Sequence, residues 1–152
     1  MTFKAAVEAT PEIQHAWNRG LQALRGRDRD CVQAGDTRRL SGSVDLDTTL
    51  RETYPQRARW DYAIGYRRNT GGEIVYWIEV HPANSGSVTE VLAKLNWLKP
   101  WLENNAPRLD ELRKEFIWIS SGRTSFTNTS PQAKRMALQG LQCVGRRLSI
   151  AG

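Results

Sequence analysis

The chain has 152 residues, of which 39% are hydrophobic and 25% are charged, and these proportions are typical of one globular domain with a core. The two cysteines, Cys31 and Cys143, are too few for a disulfide framework. No apolar run approaches the length of a membrane span, and the N-terminus lacks a basic, then apolar, signal pattern. We therefore expect a cytoplasmic protein that does not bind membranes.

The formal net charge of +6 comes mainly from arginine, which outnumbers lysine 17 to 5. The planar guanidinium group matches the geometry of phosphate better than the point charge of lysine does. This composition is compatible with a nucleic-acid partner, and equally with a basic surface that only keeps the protein soluble.

A first helix is predicted from Pro11 to about Gly26, because proline is favoured in the first turn of a helix. Apolar residues recur at helical spacing along this stretch: Ile13, Ala16, Trp17, Leu21 and Leu24. Residues 27–43 are rich in Gly, Asp and Arg and show no periodicity, which indicates an irregular segment. Residues 44–47 alternate as a short strand does, although an acidic loop that leads into a helix through Glu52 is an alternative.

Two short strands are predicted next, over residues 60–66 and 74–80, with a turn at Gly71-Gly72 between them. Asp61 stands at the start of the first strand and Glu79 near the end of the second. An antiparallel pair would therefore bring the two carboxylates to the same end of neighbouring strands.

Side-chain alternation places Glu79 and His81 on one face of the second strand. The opposite face is wholly apolar or aromatic and is predicted to lie in the core: Ile74, Tyr76, Ile78 and Val80. Trp77 shares the face of Glu79, which indicates that this face is covered, and a covered carboxylate requires partners. Asp61 shares its face with two small residues that leave room around it: Ala63 and Gly65.

The second half of the chain predicts helices alternating with strands. Ser87 stands three residues before Glu90, a spacing that predicts a capping box at the start of a long helix. Pro100 lacks an N–H group, so this helix is expected to kink or restart there. The remaining predicted elements are a short helix from Pro107, a buried strand over 116–119, a helix from Ser130-Pro131 and an edge strand over 146–150.

This order of elements predicts a single α/β (α+β) domain over residues 1–152. The helices are expected to flank a mixed sheet of four to five strands. No internal repeat or low-complexity tract interrupts the chain.

Asp61 on one strand and Glu79-x-His81 on the next, between two helices, resemble the PD-(D/E)XK nuclease superfamily. The chain departs from that pattern in having His81 at the lysine position and Trp60 in place of the proline before the first aspartate. The resemblance implies a restriction-endonuclease-like αβββαβ core and a metal-dependent phosphodiesterase that acts on DNA. It also implies that Asp61 and Glu79 are ligands of Mg²⁺ or Mn²⁺.

Histidine is not a simple substitute for the lysine that the superfamily places near the attacking water. His81 would act as a base for water, or ligate the ion and favour Mn²⁺ over Mg²⁺. Lys94, at the border of the apolar face of the following helix, is the candidate replacement cation. We therefore predict four catalytic residues: Asp61, Glu79, His81 and Lys94. An ordinary surface lysine is the alternative for Lys94, and a simple ion pair is the alternative for Glu79 and His81.

Other polar residues are candidates for supporting roles. Five arginines are candidate phosphate contacts: Arg57, Arg59, Arg67, Arg68 and Arg123. Charged hairpin ends and a turn are the alternative explanation for them. Three upstream acids are candidates for an additional carboxylate: Asp45, Asp47 and Glu52.

Two further hypotheses remain open at the level of sequence. One is a catalytically inactive module of the nuclease fold that binds nucleic acid or a protein partner. The other is a protein-interaction subunit, for example of a homo-oligomer, joined through Trp97 and Trp101, although packing of these tryptophans against the Leu109 helix is the commoner outcome.

Overall fold

The computed structural model of the chain describes residues 1–84, 86–122 and 129–151. The helices among these residues are α1 (Phe3–Glu8), α2 (Gly26–Arg29), α3 (Leu46–Thr49), α4 (Ser87–Asn105), α5 (Pro107–Glu111) and α6 (Pro131–Leu138). The strands are β1 (Val32–Ala34), β2 (Leu40–Asp45), β3 (Tyr62–Arg67), β4 (Glu73–His81), β5 (Arg113–Ser120), β6 (Leu141–Cys143) and β7 (Leu148–Ile150). Two short 3₁₀ turns lie at Pro11–Ile13 and Thr37–Arg39.

A mixed five-stranded sheet in the order β2-β3-β4-β5-β6 forms the centre of the domain. Strands β2, β3 and β4 pair antiparallel, whereas β5 and β6 continue the sheet in parallel with β4. Strands β1 and β7 form a separate parallel pair. The predicted α/β class and the mixed sheet are confirmed.

The two faces of the central sheet pack into separate apolar clusters, as the alternation in β4 predicts. Val75 and Trp77 face one cluster, where they meet the buried side of α4. Ile74 and Ile78 face the other cluster, which also contains residues of β1 and β7. The helix α4 therefore lies over the face of β4 that also carries Glu79 and His81.

The predicted helix from Pro11 to Gly26 is wrong. After the 3₁₀ turn, Asn18 instead pairs with Ser43 beside β2, with N–O distances of 2.8 and 2.9 Å. The Trp17 indole N–H donates to the Ser41 carbonyl at 2.9 Å. Its ring fills the space where a Cβ on Gly42 would stand, 2.1 Å from the indole nitrogen. These contacts with the sheet override the local helical spacing.

The segment predicted to be irregular, residues 27–43, contains β1 and most of β2. Both alternatives for residues 44–47 are partly right, because β2 ends at Asp45 and α3 follows at once. The Asp45 side chain accepts the Thr48 backbone N–H at 2.9 Å and so caps that helix.

Helix α4 differs from its prediction at its start and around its proline. The helix has no side-chain cap from Ser87, whose backbone N–H donates instead to the Asn84 side chain at 3.0 Å. The predicted capping box is therefore wrong, and Glu90 is available for another partner. The helix does not restart at Pro100 but continues to Asn105.

The C-terminal predictions are confirmed except in their last part. Helix α5, strand β5 and helix α6 form where expected, and Ser130 caps α6 by accepting the Ala133 N–H at 3.2 Å. The short strand β6 was not predicted. The edge strand predicted over residues 146–150 forms as β7, but it pairs with β1 rather than with the central sheet.

Replacing Gly65 with alanine is expected to destabilise the fold by about 1–3 kcal/mol, the usual cost of overpacking a core. A Cβ at this position of β3 would stand 2.4 Å from Cγ of Phe3, the first residue of α1. Gly26→Ala is the matched control, because a Cβ there would meet nothing within 4 Å. Urea unfolding curves measure both changes, and equal midpoints for the two variants would contradict the prediction.

Candidate functional site

The candidate site lies at the end of the sheet where β3 begins and β4 ends. The antiparallel register pairs Tyr62 with Ile78, so the preceding residue, Asp61, comes next to Glu79 across the two strands. Asp61 Oδ2 accepts the backbone N–H of Val80 at 2.9 Å, which anchors this carboxylate against β4. The sequence prediction that both carboxylates share one end of neighbouring strands is thus confirmed.

Lys94 of α4 meets Glu79 at this end of the sheet. The Lys94 ammonium donates to Glu79 Oε2 at 2.5 Å. The Glu79 side chain is 0% exposed and that of Lys94 is 24% exposed, so the pair is largely removed from water. The structure therefore places the lysine where the sequence analysis proposed a substitute cation.

Burial and neighbouring charge shift the pKa values of both carboxyl groups. Burial raises the pKa of Glu79 well above its ordinary value, and the negative charge of Asp61 raises it further, while Lys94 opposes both effects. Burial also raises the pKa of Asp61, against the opposing effects of Lys94 and the Val80 amide. With all three groups ionised the cluster has a net charge of −1, an arrangement that a cation or a proton stabilises.

The same cluster keeps Lys94 charged. Burial by itself would lower the pKa of Lys94, but the negative charges of Glu79 and Asp61 outweigh it, so the pKa is raised. The ammonium therefore keeps its proton at neutral pH even though most of the side chain is covered.

His81 lies at the edge of the site and binds a residue that the sequence analysis assigned to helix capping. Its Nε2 is 2.8 Å from Glu90 Oε2, and its Nδ1 is 3.9 Å from Glu79 Oε2. The imidazole ring also contacts the Trp118 ring edge-on, with the ring centroids 6.4 Å apart. Glu90 and Lys94 are four residues apart on α4, so both side chains lie on the same face of the helix, over the strand ends. This spacing is the sequence feature that could have identified Glu90.

The two strand carboxylates fit a hard divalent cation in their donor atoms. Asp61 uses Oδ2 for Val80 and Glu79 uses Oε2 for Lys94, which leaves Oδ1 and Oε1 as the remaining acceptors. Glu79 Oε1 is buried and makes no hydrogen bond within the described part of the chain. The backbone N–H of Asp61 nevertheless lowers the pKa of Glu79 slightly against the larger effect of burial. Carboxylate oxygens completed by water are the ligands that Mg²⁺ uses in proteins.

Among residues 1–84, 86–122 and 129–151 there is no group of three or more His, Cys, Asp or Glu side chains that could hold a metal ion. Asp47 raises the pKa of Asp61 through its charge, but its own carboxylate pairs with Arg59 at 3.0 Å and Arg51 at 3.6 Å. A cation here would therefore depend on Asp61, Glu79 and water.

The candidate phosphate-contacting arginines do not lie together. Arg59 is 12% exposed, and its guanidinium donates to Asp47 and to the Tyr54 carbonyl inside the protein. Arg57 is exposed two residues before it, near the carboxylates in sequence. Arg67 and Arg68 stand at the other end of β3, five or more residues from Tyr62 and so roughly 17 Å or more from the carboxylates. Arg123 lies outside the described residues.

Of the two tryptophans of α4, Trp101 is buried and Trp97 is partly buried beside it. Trp101 is 3% exposed and donates its indole N–H to Glu12 at 2.8 Å. The ring of Trp97 stacks on that of Trp101 with a centroid distance of 5.9 Å, and Tyr54 packs edge-on against Trp97. Both tryptophans therefore pack on residues of the same chain, and Trp97 keeps part of its surface exposed.

None of the described helices is long and apolar enough to pass through a membrane. Comparison with known proteins gave no significant match to a family model, to a curated protein or to a solved structure.

Proposed function

We propose that this protein is a metal-dependent phosphodiesterase that cleaves DNA, with a site of the PD-(D/E)XK type. The observation that carries the proposal is the contact of 2.5 Å between the Lys94 ammonium and Glu79, next to Asp61. A lysine beside two strand carboxylates is the set of groups that the superfamily uses. Here the lysine comes from α4, and histidine occupies its usual position in the strand.

The order of elements supports the same proposal. Helix α1, the antiparallel strands β2, β3 and β4, helix α4 and the parallel strand β5 occur in this order in the chain, with α2, β1, α3 and α5 as additional elements between them. The αβββαβ core of the superfamily has this succession of elements, and here Asp61 directly precedes the second of the three antiparallel strands while Glu79 lies on the third.

Each residue of the site has a defined part in the proposed reaction. Asp61 and Glu79 would hold Mg²⁺ or Mn²⁺, which supplies an activated water and polarises the scissile phosphate when bound. Lys94 places a positive charge beside the carboxylates, where it stabilises negative charge that develops on the phosphate oxygens. His81 directs Nε2 at Glu90, so in the neutral ring the proton is held there and Nδ1 is the nitrogen that accepts.

A second candidate function is a module of the same fold that binds nucleic acid without cleaving it. Histidine at the strand position where the superfamily has lysine favours this alternative, and so does the complete burial of the Glu79 side chain, because a covered carboxylate is not open to a hydrated ion. DNA affinity would then fall steeply with salt and would not change in Asp61→Asn.

Calorimetry and a cleavage assay distinguish the two candidates. The phosphodiesterase is expected to bind Mg²⁺ or Mn²⁺, and to relax or cut supercoiled DNA in a reaction that EDTA abolishes. A folded sample that binds neither ion would overturn the metal-dependent function. Salt-sensitive binding of DNA by that sample would then support the inactive module.

A further inference from the structure

The candidate site lies between two groups of exposed arginines that the sequence analysis did not propose as phosphate contacts. Arg25 and Arg51 stand beside the end of β2, and we call this pair the β2 flank. Arg146 and Arg147 follow the end of β6, and we call this pair the β6 flank. All four residues are exposed, so they are accessible to a large ligand.

The register of the central sheet brings both flanks level with Glu79. Asp45, the last residue of β2, is level with Ile78 of β4 through their shared neighbour on β3, so the chain reaches the level of Glu79 directly after β2. Cys143, the last residue of β6, is level with Glu79 through β5. Neighbouring strands are about 4.8 Å apart, so the ends of β2 and β6 are roughly 19 Å apart, with the strands of the carboxylates between them.

Hydrogen bonds fix the β2 flank next to the carboxylates. The backbone N–H groups of Leu46 and Asp47 donate to the Asp61 carbonyl at 2.9 and 3.4 Å. Asp47 Oδ2 lies 3.6 Å from the Arg51 guanidinium and 4.0 Å from that of Arg25. Asp47, a candidate for an additional carboxylate in the sequence analysis, therefore holds guanidinium groups beside Asp61.

The guanidinium groups of the β2 flank keep donors for a further partner. The side chain of Arg25 is 60% exposed and that of Arg51 is 57% exposed. The two acids of this region, Asp45 and Asp47, face three guanidinium groups, because the largely covered Arg59 also pairs with Asp47 at 3.0 Å. Exposed ion pairs contribute little free energy, and a guanidinium has five N–H donors. The flank therefore has an excess of one positive charge and N–H groups left for a phosphate.

The β6 flank lies in the segment that joins β6 to β7. The Ser120 backbone N–H donates to the Gly145 carbonyl at 2.7 Å, which fixes this segment at the end of β5. Ser120 is paired with His81 across β5 and β4, so the segment stands at the end of the sheet where the candidate site lies. Neither Arg146 nor Arg147 forms an ion pair within the described part of the chain.

Asp28 and Asp30 are acidic residues near Arg147. Burial raises the pKa of the Cys31 thiol, and the charge of Asp28 raises it further while that of Arg147 lowers it. The charge of Asp30 also raises this pKa, so all of these groups lie close together. Asp28 accepts the Tyr62 hydroxyl at 2.5 Å, which occupies one of its oxygens. The two carboxylates reduce the positive potential around Arg147 without forming an ion pair with it, so its guanidinium remains available to a phosphate.

We propose that the backbone of a DNA strand lies across the candidate site, with its phosphates bound by the β2 flank on one side of Asp61 and Glu79 and by the β6 flank on the other. Arginine binds phosphate oxygens through pairs of N–H groups. Contacts to phosphate fix the position of a strand and carry no sequence information directly, so binding is expected to be independent of sequence. The inference deepens the proposed function and rests on it for the choice of DNA as the ligand, while the flanks bind without the metal.

Fluorescence anisotropy with labelled single-stranded DNA of about 12 nucleotides measures this binding. EDTA in the buffer removes divalent metal, so that cleavage and metal binding play no part. The β2 variant is Arg25→Gln/Arg51→Gln, and the β6 variant is Arg146→Gln/Arg147→Gln. All four positions are exposed, so both variants are expected to stay folded, which circular dichroism checks.

The charge-matched control is Arg108→Gln/Arg113→Gln, whose exposed arginines lie at the other end of the sheet, around the start of β5. Each flank variant is expected to bind the DNA about tenfold more weakly than the control does, the loss expected when a hydrogen bond to a charged group is removed. The slope of log K against log salt should fall by about 0.7 for each phosphate that is no longer neutralised. Weakening in only one flank variant, or equal weakening in the control, would overturn the path across the site.

The outcomes separate this inference from the proposed function. If the unchanged protein binds neither Mg²⁺ nor Mn²⁺ in calorimetry and both flank variants still lose DNA affinity, the metal-dependent function fails and the flanks stand. If the protein cleaves DNA and the flank variants bind it as tightly as the control does, the flanks are wrong and the proposed function stands. An oligothymidylate and a mixed sequence of the same length should bind with similar affinity, and a strong preference for one of them would contradict recognition through the backbone.

Discussion

Replacing Lys94 with methionine is expected to lower the free energy of unfolding by about 3–5 kcal/mol at pH 8, the usual cost of breaking a buried ion pair. The change removes the ammonium that contacts the fully buried Glu79 and leaves that carboxylate next to Asp61. Methionine has a similar length and keeps the apolar contacts of the lysine stem, so the effect comes mainly from charge.

The destabilisation should depend on pH. Without Lys94 the pKa of Glu79 in the folded state rises further above its unfolded value of about 4.3, because the opposing positive charge is gone. A group with a raised folded pKa contributes most to stability below its unfolded pKa, and that contribution disappears as pH rises through the folded pKa. The free energy of unfolding of the variant should therefore approach that of the unchanged protein at pH 5 and be lower than it at pH 8.

Urea unfolding at both pH values measures this difference. Lys134→Met is the matched control, since Lys134 is an exposed residue of α6. The double variant Glu79→Gln/Lys94→Met removes both charges and should recover part of the stability at pH 8. A destabilisation that is the same at pH 5 and pH 8 would show that Glu79 does not carry the effect.

Glu79→Gln is expected to reduce the metal-dependent DNA cleavage that we propose by about 10³-fold or more. A catalytic metal contributes several kcal/mol of transition-state stabilisation, and a neutral amide holds a divalent cation far more weakly than a carboxylate does. Asp61→Asn should have a comparable effect, while its side-chain oxygen still accepts the Val80 N–H.

Glu8→Gln is the control for these two changes, because Glu8 is exposed and its substitution removes the same charge. Circular dichroism establishes that each variant is folded, and the rate of plasmid cleavage in Mg²⁺ or Mn²⁺ measures the effect. If the Glu79→Gln protein is folded and cleaves DNA at the unchanged rate, Glu79 has no role in catalysis.

The strand pair and its charged residues were predictable because the signals are local. Alternation along β4 predicted which side chains share each face of the strand, and the glycine pair predicted the turn. Lys94 was predicted to reach the strand ends from its position on α4, and it does. Periodicity of 2 or 3.6 residues determines such positions whenever the element forms as expected.

The failures occurred where contacts distant in sequence decide the conformation. The helical spacing after Pro11 did not produce a helix, because Asn18 pairs with Ser43 and Trp17 packs on Gly42 of β2. Glu90 was predicted to cap helix α4, but its side chain contacts His81 at the end of β4 instead. Propensity is a weak guide when a competing tertiary contact is available.

The sequence by itself determined the fold class, the turn between β3 and β4, and the face of β4 that carries Glu79 and His81, because each of these depends on neighbouring residues. Only the tertiary structure decided that the Lys94 ammonium contacts Glu79 and that Glu90 contacts His81. These relations depend on strand register and on how α4 lies on the sheet. Both are set by packing between residues that are distant in the chain.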